Sequence, residues 1–314
     1  MNNRICEIEL NMSNKCGAAC YMCSTPHGNK NIPLMTQEVF DAIVDQLHDV
    51  DFDVIQTSGN GDGFLNPNWF DWVRRLRSTF PDAKIHFYSS FGPMTKERID
   101  IIVKEDLLDE VYTRIDSLDP ATIHKATKRL DGDQVLSNMR YFATAKRKCK
   151  FVIGYSSIPQ YYRKCRKLLR KEPLLSPFEP WEVAEMRDEF GAIGGYFRKL
   201  ELGGPTKIYR IRQSMWAERL DPRVPSQPLY PCPKMESKIL EKIMWICPNG
   251  AIDVCGYDDT QGAMAVGNLL LDHILDIWNG EKRKEMLQSI ASRSRVGYPC
   301  NNPACCVMWA DGEI

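Results

Sequence analysis

Strand-like and helix-like segments alternate along the first two thirds of this chain, and this alternation constrains the fold more than any other feature. Residues 4–12 alternate apolar and polar side chains, as a strand with one buried face does. From Thr36 onward, the apolar residues Phe40, Ile43 and Leu47 recur with the period of a helix. Further strands are predicted at 53–59, 84–90, 111–116, 150–156 and 196–202. This pattern predicts an α/β fold with a parallel sheet covered by helices.

Six strand–helix units predict a partial (β/α)6 TIM-like barrel over residues 1–204. In such barrels the chemistry takes place at the carboxyl ends of the strands. Prolines accumulate toward the end of residues 205–230, which we interpret as a linker. The remaining residues, 231–314, are predicted to form a small extension. It contains a hairpin over 243–254 that turns at Asn-Gly250.

The charge and hydropathy of the chain exclude several classes of partner. The chain carries 41 basic and 41 acidic residues, so its net charge does not favour a nucleic-acid partner. A basic helix at 159–172 is interpreted as a solvated outer face. No apolar stretch approaches the roughly 20 residues of a membrane span, and the first residues lack the apolar run of a signal peptide. We therefore expect a soluble, cytoplasmic protein.

Twelve cysteines are the most unusual part of the composition. In a cytoplasmic chain they are expected to be reduced thiols that bind metal or take part in chemistry. Cys16, Cys20 and Cys23 follow the first predicted strand with the spacing CxxxCxxC. Thiolates select iron–sulfur clusters or zinc, and three of them leave one iron of a cubane open. With His27, the same cysteines would instead complete a tetrahedral zinc site. Three scattered cysteines are interpreted as small buried residues: Cys6, Cys149 and Cys165.

The spacing of the three clustered cysteines, with an apolar residue before the last, resembles the signature of the radical S-adenosylmethionine (SAM) superfamily. The resemblance implies that the open iron of a [4Fe–4S] cluster binds the amino and carboxylate groups of SAM. It implies that reductive cleavage of SAM then gives a 5′-deoxyadenosyl radical, which abstracts hydrogen from the substrate. An electron donor of the flavodoxin or ferredoxin type is implied as a partner.

The resemblance extends to the segment after the second predicted strand, where the family has a Gly-Gly-Glu-like sequence that contacts the methionine amine of SAM. The matching residues here are Gly61 and Asp62, and Asp62 is one methylene shorter than the usual glutamate. Further SAM contacts are expected at the ends of later strands, at Ser90, Asp116, Ser117 and Ser156. The alternative for each is a strand-end residue that bonds its own backbone.

The cysteines of the last quarter of the chain resemble a second family feature. The order of Gly250, Cys255 and a cysteine-rich tail is similar to the C-terminal extension called SPASM, or its shorter twitch form, which binds auxiliary [4Fe–4S] clusters. The resemblance implies one auxiliary cluster, because the tail has fewer cysteines than a full SPASM domain. The implied ligands are Cys232, Cys255, Cys300 and one of Cys305 or Cys306. Cys247 is interpreted as a core residue, and the alternative to a cluster is a structural zinc.

These resemblances imply a radical SAM oxidoreductase that oxidises or rearranges a small polar substrate such as a sugar or cyclitol. The layout is similar to the cyclitol dehydrogenase of aminoglycoside biosynthesis, in which an auxiliary cluster accepts an electron. A peptide or protein maturase is the second interpretation. Many such enzymes carry an additional N-terminal domain for peptide recognition, which is not expected here because the first strand begins near residue 4. A zinc-stapled binding protein without catalysis is the third.

Overall fold

The strands of the computed structural model follow the predicted order. The structure describes residues 3–20, 34–115, 117–157, 206–212, 239–256 and 264–292, with 154–157, 206–212, 239 and 292 described by their backbone alone. The strands are β1 (Glu7–Leu10), β2 (Val54–Gln56), β3 (Lys84–Tyr88), β4 (Glu110–Ile115), β5 (Lys150–Ser157), β6 (Thr206–Arg212), β7 (Ile243–Ile246), β8 (Ala251–Asp253) and β9 (Ala265–Asn268).

Helices separate the first five strands and follow the last one. They are α1 (Gln37–Leu47), α2 (Trp69–Thr79), α3 (Lys96–Glu105), α4 (Pro120–Thr127), α5 (Gly132–Thr144), α6 (Ile274–Asn279) and α7 (Glu281–Ser292). Side-chain oxygens that accept a backbone N–H mark four of their N-termini, at Thr36, Thr95, Asp119 and Asp131. The predicted cap at Thr36 is therefore confirmed. No helix in the described ranges is both long and apolar enough to span a membrane.

The described chain divides into two compact units. In the first unit, β1 is paired in parallel with β2 on one side and with β7 on the other. The strands β7, β8 and β9 continue from there in antiparallel order. The predicted hairpin is confirmed, with Gly250 in its turn at a φ of 81°, a conformation that favours glycine.

β7 pairs in parallel with β1, which is far from it in the chain. The domain boundaries expected from the sequence, 1–204, 205–230 and 231–314, stay a prediction. The C-terminal strands lie in the same compact unit as β1 and β2, and not in a unit of their own. The strands β1 and β7 are held together by a parallel ladder that begins with the pair Glu7 and Ile243 and ends with the pair Leu10 and Ile246. Its hydrogen bonds satisfy backbone groups along the whole of β1.

The second unit contains β3 from Ile85 onward and the strands β4, β5 and β6, all paired in parallel. The strand predicted at 196–202 lies outside the described residues. β5 is paired with Thr206–Arg212, a strand within the segment expected to be a linker. Its threonine, isoleucines and tyrosine favour an extended backbone, and the prolines that suggested a linker begin only later in the chain.

The core of the second unit is built from aromatic rings. Phe142 on α5 is fully buried and meets Phe151 of β5 edge to face, with ring centroids 5.0 Å apart. Phe91 lies 5.7 Å from Phe142 and 5.3 Å from Phe151. These offset and edge contacts are the arrangements that aromatic rings prefer. These ring contacts hold α5 against β5.

Replacement of Phe142 by alanine tests this packing. We expect Phe142→Ala to lower the free energy of unfolding by about 3–5 kcal/mol, because the cavity loses contacts with both neighbouring rings. Urea denaturation followed by circular dichroism measures the change. Ser137→Ala, at an exposed position of the same helix, is the control and should change stability little. Equal effects of the two substitutions would contradict this account of the core.

Candidate functional site

The loop that carries the three clustered cysteines leaves the sheet directly after β1 and is closed at its base. Met35 N donates to Met12 O at 3.1 Å, and Ser13 and Leu34 form an antiparallel bridge. Because these contacts join the two ends of the loop, the cysteines start from a fixed point beside the end of β1. This position is the carboxyl end of a strand, as the sequence predicted.

Asn66 holds both ends of this loop. Its Nδ2 donates to Met12 O at 2.9 Å and to Met35 O at 3.2 Å, while its Oδ1 accepts from Asn68 N at 3.0 Å. The side chain is 2% exposed, so these bonds are not exchanged with water. Sequence reasoning missed Asn66, although its place after the predicted glycine-rich segment was an available signal.

The glycine-rich segment after β2 lies against the beginning of the cysteine loop. Asp62 N donates to Lys15 O at 2.9 Å. A Cβ on Gly61 would stand 2.2 Å from Ser13 O and 2.5 Å from Lys15 O, so only glycine permits this approach of two backbones. Gly61, predicted from the family resemblance as a SAM contact, therefore brings the two loops together. Its contact with SAM stays a prediction.

Asn11 fixes the other end of the glycine-rich segment. Its Oδ1 accepts from Asn60 N at 2.8 Å, and the side chain is 1% exposed. A Cβ on Gly59 would lie 1.6 Å from this same oxygen, which explains the glycine at that position. Sequence reasoning missed Asn11 too, because a single polar residue at the end of a strand carries no distinctive pattern.

The carboxylate of Asp62 has a local structural role. Its Oδ1 accepts from Phe64 N at 3.2 Å and so caps a short 3-10 turn, Gly63–Leu65. The residue is 2% exposed. Capping uses one carboxylate oxygen, and a carboxylate has lone pairs for further bonds. The predicted contact between Asp62 and SAM stays a prediction.

Two of the three clustered cysteines lie among the described residues. Cys16 and Cys20 are half-buried thiols that form no disulfide. Cys16 follows Lys15 in the first unit, whereas Cys20 in the second unit follows Ala19, whose N donates to Thr127 O at 2.7 Å. Cys23 and His27 lie outside the described ranges. Within those ranges no three cysteine, histidine or acidic side chains gather as a metal site.

The donor atoms near the cysteine loop fit the cofactors that the resemblance implies. Reduced, partly accessible thiols are the ligands that iron–sulfur clusters require. The Oδ1 atom of Asn14, two residues before Cys16, is buried and has no hydrogen-bond partner in the described part of the chain. Such an acceptor is costly unless a further group meets it. The loop therefore presents both soft thiol ligands and a polar acceptor.

The remaining predicted SAM contacts belong to the second unit. Ser117 is buried, and its Oγ accepts from Asp119 N at 3.0 Å. This bond agrees with the alternative given above, in which a residue at the end of a strand bonds the nearby backbone. Ser90 is half-buried just after β3. Asp116 lies outside the described residues, and only the backbone of Ser156 is described. The roles of these four residues in SAM binding stay predictions.

One face of the sheet in the second unit is polar, which sequence reasoning did not predict. Parallel strands are normally apolar on both faces. Here the buried residues Phe87, Val111 and Phe151 form only one face. The other face carries alternating residues of three adjacent strands, namely His86, Tyr88, Glu110, Tyr112 and Lys150. Polar side chains on a face of a parallel sheet need hydrogen-bonding partners there.

The groups on this polar face bind one another. Lys150 Nζ donates to Glu110 Oε1 at 2.9 Å, and the Tyr112 hydroxyl donates to Glu110 Oε2. Tyr88 is 43% exposed and stacks on Tyr112 with ring centroids 4.6 Å apart. Burial raises the pKa of Glu110, but the hydrogen bonds from Tyr112 and Lys150 and the nearby charges of His86 and Lys150 outweigh it. The net effect lowers the pKa of Glu110. The face thus presents an ionised carboxylate beside an aromatic platform.

The cysteines of the C-terminal hairpin occupy different environments. Cys247 is buried, and its Sγ donates to Asp253 Oδ2 at 3.0 Å, which agrees with its interpretation as a core residue. Cys255 is a buried thiol two residues after the end of β8. The other proposed ligands, Cys232, Cys300, Cys305 and Cys306, lie outside the described residues.

Comparison with family models gives two matches in this chain. Residues 10–161 match the model of the Radical SAM superfamily, and residues 232–306 match the SPASM model, an iron–sulfur cluster-binding domain. A search of curated proteins finds no match. The two matched ranges contain the two cysteine-bearing regions described above.

Solved structures resemble this chain along nearly its whole length. BtrN in complex with AdoMet and 2-DOIA gives a TM-score of 0.56 at 15% identity, covering 97% of this chain and 93% of that chain. The structure of anSMEcpe with AdoMet and Cp18Cys peptide gives 0.57 at 12% identity, covering 96% and 87%. Streptococcus suis SuiB bound to the precursor peptide SuiA gives 0.56 at 13% identity, covering 98% and 71%. These likenesses confirm the α/β fold, a partial barrel with a small C-terminal extension.

Removal of the Asn66 side chain tests the closure of the cysteine loop. We expect Asn66→Ala to release iron to a chelator severalfold faster than the parent protein, because both loop ends lose a donor. The free energy of unfolding should fall by about 1–3 kcal/mol, since buried carbonyl oxygens are left unpaired. Asn68→Ala is the control, because Asn68 is exposed and its side chain forms no capping bond. Iron release at the parent rate would contradict the role of Asn66.

The lowered pKa of Glu110 predicts a pH-dependent contribution to stability. Because the folded-state pKa lies below the ordinary value of 4.5, the carboxylate stabilises the fold above that value. This contribution is lost as the pH falls through the lower folded-state pKa. Urea denaturation of the parent protein and Glu110→Gln between about pH 3 and about pH 6 measures it. The difference should be present at the upper end and vanish at the lower end. Tyr112→Phe should move this loss of stability to higher pH. A stability difference between the parent protein and Glu110→Gln that does not change with pH would contradict the lowered pKa.

Proposed function

Because this chain belongs to the radical SAM superfamily and carries a C-terminal SPASM domain, we propose that it is an oxidoreductase for a small polar substrate of the sugar or cyclitol class. Membership implies SAM, a SAM-binding [4Fe–4S] cluster and an auxiliary cluster. When bound, these groups supply hydrogen-atom abstraction and an acceptor for one electron. What the chain itself contributes is ligation, orientation and the recognition of substrate.

The cluster ligands of the proposal are the cysteines of the two matched regions. For the SAM-binding cluster they are Cys16, Cys20 and Cys23, and for the auxiliary cluster Cys232, Cys255, Cys300 and one of Cys305 or Cys306. SAM would be bound by Gly61, Asp62, Ser90, Asp116, Ser117 and Ser156. Two observations support the ligands of the SAM-binding cluster. The base of the cysteine loop is closed, and the loop contacts the glycine-rich segment, so backbone donors and acceptors lie beside Cys16.

The polar face of the second unit favours a small hydroxylated substrate, although Glu110 and Lys150 begin β4 and β5 and so lie at the amino ends of these strands, not at the carboxyl end from which the cysteine loop starts. Tyr88 and Tyr112 offer a stacked aromatic platform, and Glu110 and Lys150 offer an acceptor and a donor beside it. Hydroxyl groups need such partners when they leave water, and the C–H face of a ring packs well on an aromatic surface.

A peptide substrate is the second candidate. The SuiB structure is described with a bound precursor peptide, and the anSMEcpe structure with a Cp18Cys peptide. In this candidate the aromatic platform would hold a peptide side chain. Either reaction needs an external one-electron donor, for which a flavodoxin or ferredoxin is the expected partner. Reduced cysteine ligands require a reducing compartment, which supports a cytoplasmic location.

Iron content after anaerobic reconstitution tests the proposal. We expect about eight irons per chain in the parent protein and about four in a variant with Cys16, Cys20 and Cys23 all changed to alanine. Cys149→Ala is the matched control, because burial raises the pKa of the Cys149 thiol to about 12 and disfavours the thiolate that a cluster needs. This variant should keep the full iron content.

Substrate class is decided by product analysis. Reconstituted protein is incubated with SAM, a reductant and either a panel of cyclitols and aminosugars or a panel of peptides. We expect 5′-deoxyadenosine and a ketone to form with a member of the first panel. Turnover confined to peptides would overturn the small-substrate proposal in favour of the second candidate. Zinc in place of iron would overturn both.

A further inference from the structure

Trp245 lies where three segments of the first unit meet. It is paired in register with Glu9 across β1 and β7, and with Asp253 across β7 and β8. Its side chain is 3% exposed, and Nε1 donates to Oε2 of Glu9 at 2.9 Å. A hydrogen bond to a carboxylate is stronger than one between neutral groups, so it holds the indole in one orientation.

The residue after Cys255 lies directly on this indole. A Cβ on Gly256 would stand 2.1 Å from Nε1 and 2.3 Å from Cδ1 of Trp245. No side chain can be accommodated at such distances, so glycine is required for the contact. The backbone that leaves Cys255 is therefore packed against the N–H edge of the ring, which shields it from water.

The carboxylate of Glu9 also reaches the glycine-rich segment. A Cβ on Gly59 would stand 2.7 Å from Oε1 of Glu9, whereas the opposite oxygen of the same carboxylate binds Trp245. A continuous series of direct contacts thus runs from Gly59 through Glu9 and Trp245 to Gly256. It joins the segment beside the cysteine loop to the segment that carries Cys255.

We propose that Trp245 is a positioning residue that holds the Cys255 segment, and so the auxiliary cluster, in a fixed place relative to the glycine-rich segment. The inference rests on the proposed function in one respect, that Cys255 is a ligand of the auxiliary cluster. The potential of an iron–sulfur cluster depends on its exposure to water and on the groups that support its ligands. The role of Trp245 is therefore measurable as a reduction potential.

The test uses the variant with Cys16, Cys20 and Cys23 changed to alanine, in which only the auxiliary cluster remains. In this background we expect Trp245→Phe to raise the midpoint potential measured by electron paramagnetic resonance. The smaller ring leaves a gap that water can enter, and hydration favours the reduced cluster, which carries more negative charge. A chelator should also remove its iron severalfold faster.

Trp72→Phe is the matched control. Trp72 lies in the same unit, is 3% exposed and likewise donates its Nε1 to a side chain, Gln37 Oε1, at 2.8 Å. The substitution removes the same atoms and the same type of bond, but Trp72 has no place in the series of contacts from Gly59 to Gly256. We expect it to lower the melting temperature without a change of the midpoint potential.

Gly256→Ala provides a second, independent test. The added methyl group should push the Cys255 segment away from the indole and raise the potential in the same direction. In the Trp245→Phe, Gly256→Ala double variant the methyl group gains space, so the shift should be smaller than the sum of the single shifts.

Three results would count against the inference. Unchanged potentials in both Trp245→Phe and Gly256→Ala would overturn the positioning role of Trp245 and leave the proposed function intact. If Trp72→Phe shifted the midpoint potential as much as Trp245→Phe does, the shift would reflect a general loss of stability and not a positioning role. Absence of iron from the three-cysteine variant itself would overturn the auxiliary cluster of the proposed function, and this inference with it.

Discussion

The parallel pairing of β1 with two strands is the constraint on which the first unit depends. Val54 lies beside Glu7 on one side of β1, and Ile243 lies beside it on the other, although the three are far apart in the chain. Because the carboxyl ends of parallel strands lie at one edge, the cysteine loop, the glycine-rich segment and the C-terminal hairpin all start from that edge. The β1–β7 ladder thus joins the C-terminal hairpin to the strand from which the cysteine loop starts, and Gln46 adds bonds to Leu269 O and Ile274 N.

The contacts at that edge are made by backbone and by short polar side chains. Asn66 and Asn11 bind loop carbonyl and amide groups, whereas Gly59 and Gly61 leave room for the loops to approach. Buried amides of this kind are satisfied in one geometry only, so they define the loop position more sharply than apolar packing would. A cofactor site benefits from such support because its ligands must be held before the cofactor arrives.

The sequence alone predicted those features that repeat or that carry unusual chemistry. The strand and helix alternation, the Asn-Gly hairpin and the cysteine regions all have patterns with a direct physical cause, and each corresponds to structure or to a family match. Asn66 and Asn11 were missed because the sequence around a single asparagine is the same whether the residue lies in an ordinary turn or binds backbone groups of a distant loop. The strand Thr206–Arg212 was not predicted, because the prolines farther along the same segment favoured a linker. The pairing of β7 with β1 depends on contacts distant in sequence, which no local pattern encodes.

Both units contribute residues to the proposed chemistry. The first unit holds Cys16, the glycine-rich segment and Cys255, and the second unit holds Cys20 and the expected SAM contacts Ser90, Ser117 and Ser156. The second unit also holds the polar sheet face with Tyr88, Glu110 and Lys150, which the proposed function assigns to the substrate. Backbone clamps and obligatory glycines tolerate little change, whereas side chains on a sheet face can be exchanged without moving the strand. The backbone contacts around the cysteine loop therefore constrain the proposed cofactor chemistry more strongly than the polar sheet face constrains the proposed substrate class.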